Sequence, residues 1–147
     1  MIGSCLVIKR LFFHKYYKTK ILVDSFVITP EWKTLDAKNL IVVDKDVHFI
    51  SLAVEPPFRA FKAKGFGISD PDGDIVNPEI ILVSASGNEY YLKCSGARQT
   101  SEFDFANYEY EGKLSAGERF EKVVLRSDVA IPVKRIQWSG YDIKDLP

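Results

Sequence analysis

Residues 79–94, EIILVSASGNEYYLKC, decide the fold class. Two apolar arms, 79–84 and 89–94, flank Ser86-Gly87-Asn88. In the second arm Tyr90, Leu92 and Cys94 share one alternating face, and Glu89, Tyr91 and Lys93 share the other. That period of two is the mark of a half-buried strand. Gly-Asn between two such arms predicts a β-hairpin closed by a two-residue turn, because the turns that match strand twist need positive φ.

The same period extends in both directions. Upstream, residues 20–28 (KILVDSFVI) and 40–43 read as strands, separated by a polar segment with Pro30, Glu31 and Trp32. Residues 47–54 (VHFISLAV) are apolar on both parities, which predicts a strand covered on both faces. Pro56-Pro57 stops the chain, and Gly65 and Gly67 mark a bend or bulge within 58–68. Asp70-Pro71-Asp72-Gly73-Asp74 is a strong turn signal, since Asp bonds its own backbone, Pro fixes φ and Gly accepts positive φ.

Downstream, residues 96–100 read as a polar loop carrying Arg98, and Phe103 and Phe105 alternate into a core. The phase slips near Asn107, moving Tyr108 and Tyr110 to the other parity. Ser115 to Glu118 matches a helix capping box, but residues 119–126 alternate and Pro132 forbids a long helix, so 119–126 is assigned as a strand. Residues 133–139 form the last strand, with Trp138 in phase with Ile136 and therefore in the core. Residues 141–147 are polar and peripheral.

About nine strands at a spacing of ~8–12 residues, with no βαβ alternation, specify an all-β fold. The expectation is an antiparallel β-sandwich, jelly-roll-like, occupying residues 21–147. Residues 1–20 are set apart as a basic, aromatic segment. They hold Lys9, Arg10, Lys15, Lys18 and Lys20 and no acid, although the 147-residue chain balances 20 bases against 20 acids. Such a segment suits either contact with a membrane surface or an ordinary amphipathic element whose bases face water.

Neutral overall charge argues against a nucleic-acid surface, even though Phe58, Lys62, Lys64, Lys134 and Arg135 could be drawn into one. No apolar run reaches the ~20 residues that span a bilayer as a helix. The only early apolar run, 5–8, is too short for a signal-peptide core, and Lys9 and Arg10 follow it rather than precede it. No compartment is indicated. Cys5 and Cys94 are too few for a disulfide scaffold or a cysteine zinc site; they are either free thiols or one bridge.

The C-terminal stretch Arg119-Phe120-Glu121-Lys122-Val123-Val124-Leu125-Arg126-Ser127, followed by Ile131-Pro132-Val133-Lys134-Arg135-Ile136-Gln137-Trp138, resembles the closing strand pair of galactose-binding-like jelly rolls. The resemblance implies a binding module, often for carbohydrate, and the expectation for the chain is a non-enzymatic binding or interaction module. Sugar recognition uses flat aromatic faces beside polar groups. The candidates are Trp32 in its polar loop, Tyr91 on the polar face of its hairpin arm, Arg98 in the 96–100 loop and Tyr141 after the last strand. A protein partner is the other ligand class, which would make the chain a structural or assembly domain.

Three chemistries compete with simple binding. Asp70, Asp72 and Asp74 could offer calcium several oxygens from one short loop, but Gly73 precedes Asp74 and Ile81 stands where an EF-hand needs its last glutamate. A plain turn is the competing reading. Glu102, Asp104, Glu109 and Glu111 could supply the carboxylate pair of a hydrolase, or simply the wet face of a sheet. Cys94 and His48 could meet if their strands are neighbours; His14 lies in the basic segment. No phosphate-cradling glycine loop exists, since Gly65-Phe66-Gly67 lacks the third glycine and the helix.

Overall fold

The computed structural model describes residues 18–61, 67–99, 101–106, 114 and 117–145. These hold ten strands: β1 (Lys18–Ile28), β2 (Lys33–Val42), β3 (Val47–Val54), β4 (Arg59–Phe61), β5 (Gly67–Ser69), β6 (Glu79–Ser84), β7 (Glu89–Gln99), β8 (Glu102–Ala106), β9 (Arg119–Arg126) and β10 (Ile131–Tyr141). A single 3-10 turn, Ile143–Asp145, follows β10. β1 already begins at Lys18, so Lys18 and Lys20 belong to the sandwich and not to a preceding segment.

Eight strands hydrogen-bond in the order β1-β10-β3-β8-β7-β6-β9-β2, all antiparallel, while β4 and β5 pair separately. β7 passes between two layers: its residues 89–92 pair with β6 and its residues 93–99 with β8. One layer is thus β1-β10-β3-β8 and the other β7-β6-β9-β2. The β1–β2, β2–β3, β8–β9 and β9–β10 connections all cross from layer to layer. Two interlocked Greek keys with this order are a jelly roll.

The core fills the space between the layers. Ile50, Leu52, Val54, Phe103, Phe105, Ile131, Val133, Ile136 and Trp138 come from one layer; Ala37, Ile41, Ile80, Leu82, Leu92, Phe120, Val123 and Leu125 come from the other. Each large side chain here contributes about 1.5–3 kcal/mol by leaving water. In β10 the inward residues change parity, from Ile131 and Val133 to Ile136 and Trp138. A register shift between Val133 and Arg135 absorbs one residue and permits the change. β3 is buried on both faces, as its two apolar parities require: outward-facing Phe49, Ser51 and Ala53 are as closed to water as inward-facing Ile50 and Leu52.

Four local expectations are corrected. The 84–88 turn encloses three residues, not two: Ser84 N–H bonds Asn88 O, Gly87 N–H bonds Ser84 O, and Gly87 has φ of 90°. The glycine therefore supplies the left-handed residue after a one-turn reversal, not the second centre of a primed turn. β2 starts at Lys33 and includes the polar residues before Leu40. Among the described side chains of this stretch Leu35, Ala37 and Ile41 reach the core while Thr34 and Asp36 face water, so an edge strand with one wet face read as a loop. β7 continues through Gln99, and Ser95 and Arg98 are skipped in its register with β8; bulges keep this polar stretch in the ladder. β10 runs on to Tyr141, which is a strand residue.

Candidate functional site

The sandwich has two ends, and each holds one tryptophan. Strand register places the β1–β2 connection (29–32), the β9–β10 connection (127–130) and the start of β10 at one end. The β2–β3 turn (43–46), the hairpin at 84–88 and the end of β10 lie at the other.

At the first end Trp32 is 50% exposed, a large share for an indole. Arg126, the last residue of β9, lies over its ring at 5.7 Å. The guanidinium is held on three sides: Nε donates to Pro30 O at 3.2 Å, Nη1 to Glu79 Oε2 at 2.5 Å and Nη2 to Asp128 Oδ1 at 3.2 Å. One side chain therefore ties the Trp32 loop to β6 and to the β9–β10 connection. Ser127 N–H adds a bond to Thr29 O at 2.9 Å, and Lys33 Nζ donates to Val27 O while sitting over Phe26. Exposed Val27 and Val129 lie at the same end. The buried Ser127 Oγ is the side-chain polar atom that lacks a hydrogen-bond partner among the described residues.

The sequence candidates do not converge. Arg98 lies on β7 near the Trp32 end, at a bulged register position. Tyr91 is 60% exposed on the outer face of β7, with its hydroxyl toward Glu89. Tyr141 packs edge-on against Phe49 at the opposite end, ten residues along β10 from the β1–β2 loop. At ~3.3 Å per residue that is roughly 30 Å from Trp32. Arg126, Glu79 and Asp128 were not singled out in the sequence. Arg126 showed there only as a base on the outward parity of a strand, and nothing local reveals which loop lies beside it.

The other end is organised by His48, whose side chain is 3% exposed. Its ring stacks on Trp138 at 4.6 Å and an interplanar angle of 10°. Nε2 accepts the backbone N–H groups of Asp44 (3.2 Å) and Lys45 (3.0 Å), and Nδ1 lies 3.2 Å from Ser139 O. Two donors on Nε2 require a lone pair there, so the proton sits on Nδ1 and is donated to Ser139 O. Burial pushes the His48 pKa below its usual 6.5, against the pull of the Asp44 carboxylate. Burial would raise the Asp44 carboxyl, but the hydrogen bond and charge of Lys18, with His48 and Lys45, hold it below the usual value. Lys18, Lys20, Val42, Asp44, His48 and Trp138 line a shallow crevice between β1 and β2 that is shut to anything as large as a water molecule. Small-molecule pockets enclose ~300–1,000 Å³, so this crevice is not one as it stands.

Each catalytic reading meets an obstacle in this geometry. His48 has both nitrogens committed to backbone and offers none to a substrate. Cys94 cannot reach it, because β8 lies between β7 and β3. Burial pushes the Cys94 thiol up to about 11, away from the thiolate that does chemistry. Cys5 and His14 lie outside the described residues. Asp104 accepts from Ser51 Oγ at 2.8 Å and Glu102 pairs with Arg135 at 3.2 Å; Glu109 and Glu111 lie outside the described residues. Asp70 spends its carboxylate on its own turn, accepting the N–H groups of Asp72 and Asp74, both at 2.9 Å. Among the described residues no three His, Cys, Asp or Glu side chains, Asp70, Asp72 and Asp74 among them, come together as metal ligands. No described helix is long and apolar enough to cross a membrane.

Comparison with protein-family models, curated proteins and solved structures finds no match to this chain.

Proposed function

We propose that this chain is a non-enzymatic binding module that takes its ligand at the Trp32 end of the sandwich, and that the ligand class is carbohydrate. The carrying observation is the half-exposed indole fixed by a three-way-anchored Arg126. A large apolar ring held still at the surface has already lost its freedom, so a ligand stacking on it has little ordering left to meet. Glu79 and Asp128, which hold the guanidinium that lies over the ring, each carry a further carboxylate oxygen suited to accepting ligand hydroxyls. The galactose-binding-like resemblance of residues 119–138 supports the same ligand class, and Arg126 lies within it.

The competing reading, an assembly domain that recruits a strand at a sheet edge, is less favoured. No described strand pairs with the outer edges of β1 and β2. Yet β1 carries a register shift between Ile21 and Val23 and a positive φ of 52° at Ser25, and β2 shifts register between Asp36 and Ile41. Edges broken in this way resist adding a strand.

A glycan array probed with the wild-type chain and with Trp32→Ala tests the proposal. Selective wild-type signals lost in Trp32→Ala support it. A flat wild-type response, or signals that survive the substitution, reject it.

A further inference from the structure

We propose that His48 is a proton-operated latch: uncharged, it fastens the β2–β3 turn to β10 and closes the crevice between β1 and β2, and on protonation it lets the turn go. The inference stands on a different end of the molecule and does not depend on the Trp32 reading.

The geometry admits only the uncharged ring. A proton on Nε2 would point at the N–H groups of Asp44 and Lys45, which already point at that atom. The Nδ1 proton is committed to Ser139 O. Nor can the ring retreat. Trp138 covers one face, and Gly140, its register partner on β10, is so close that a Cβ there would lie 2.4 Å from the ring. Accommodating the charge therefore means moving the turn, which is held by short contacts at the surface.

The surrounding charges set the direction. Lys18 from β1 and Lys45 from the turn oppose a charged ring, and Lys20 lines the same crevice. Asp44, with Oδ1 3.4 Å from Nε2, is the acid that would receive it. Asp142 is taken up by Asp46 N–H and Lys45 Nζ, Asp46 accepts Ile143 N–H, and Glu118 accepts the Tyr90 hydroxyl. A charged His48 would turn Nε2–H toward Asp44, competing with Lys18 for the carboxylate. Protonation thus frees two backbone groups of the turn and loosens the Lys18 tie between β1 and the turn. The opened histidine titrates near 6.5 and the latched one lower. Closure is therefore complete above pH 6.5 and weakens as pH falls, the ratio of open to closed rising about tenfold for each unit between 6.5 and the latched value and levelling off below that value.

The test uses the full chain with His14→Gln, leaving His48 as the only histidine. Backbone amide exchange, corrected for the intrinsic effect of pH, is read at pH 7.5 and pH 5.0, and the His48 ring is titrated by NMR. The expected result is a His48 pKa below 6.5, with protection of the Asp44 and Lys45 amides lost between the two pH values while the Leu52 amide stays protected. A His48 pKa at or above 6.5, or unchanged protection of both turn amides, overturns the latch. His48→Phe keeps a ring on Trp138 but offers no acceptor; its two turn amides should exchange equally at both pH values, and a surviving pH step would also overturn it. If that variant does not fold, the wild-type-ring measurements decide alone.

Discussion

Trp138 and Trp32 stand at opposite ends of one sandwich, and each has a flat partner on its ring. Trp138 is 3% exposed, stacked by His48 and flanked by Phe120. Trp32 is 50% exposed and lies under Arg126. The difference is in what the partner is tied to. His48 spends its polar atoms on the backbone of two neighbouring elements, so its stack serves the fold. Arg126 spends its polar atoms on keeping a loop in place around a ring that still faces water, so its cation–π contact serves a surface.

The widest separation between the two ends should come from truncating each ring. Trp138→Ala should cost about 3–5 kcal/mol, because the core cannot collapse around a lost indole. Trp32→Ala should change stability by no more than about 0.5 kcal/mol, as surface substitutions usually do, while removing ligand response. Urea unfolding of both variants checks this. Equal losses would erase the distinction between a structural and a recognition tryptophan.

Gly140 sharpens the structural side. Gly140→Ala should cost about 1–3 kcal/mol, since the new methyl collides with the His48 ring and the surroundings must shift. In the background of His48→Ala the same methyl meets space. The double variant should therefore be more stable than the sum of the two single losses predicts. Additive losses would mean that Gly140 is required for a reason other than the ring.

Much of the architecture could be read from the chain, because alternation survives wherever one face meets the core. β3, β6 and β9 run over the residues whose apolar pattern announced them. The polar half of β2 and the end of β7 escaped, since an edge strand with little buried surface has the composition of a loop. Trp32 and Tyr91 were legible as exposed aromatics. Their separation was not, because it depends on register between strands far apart in sequence. Arg126, Glu79 and Asp128 meet only after the β1–β2 and β9–β10 connections come together. The His48–Gly140 contact was equally hidden: a histidine on an apolar parity and a lone glycine 92 positions later carry no common local signal.

A smaller effect separates the two ends through the hydroxyl of Ser127. At the His48 end both ring nitrogens and the surrounding carboxylates have partners. At the Trp32 end Ser127 Oγ is buried with none among the described residues, in a residue 1% exposed. An unpaired buried hydroxyl is a cost to the fold of about 1–3 kcal/mol, part of which returns when it is deleted. Ser127→Ala keeps the backbone bond from residue 127 to Thr29 O and leaves a void no larger than one oxygen. It should be neutral or stabilise by up to about 1 kcal/mol, measured as a raised urea midpoint at constant m value. A loss of stability instead would mean that the hydroxyl is bonded, through a trapped water or a different path of the 127–130 connection. In that case the Trp32 end would be as fully satisfied as the His48 end, and the contrast between a closed end and one still holding an unmet polar group would fail.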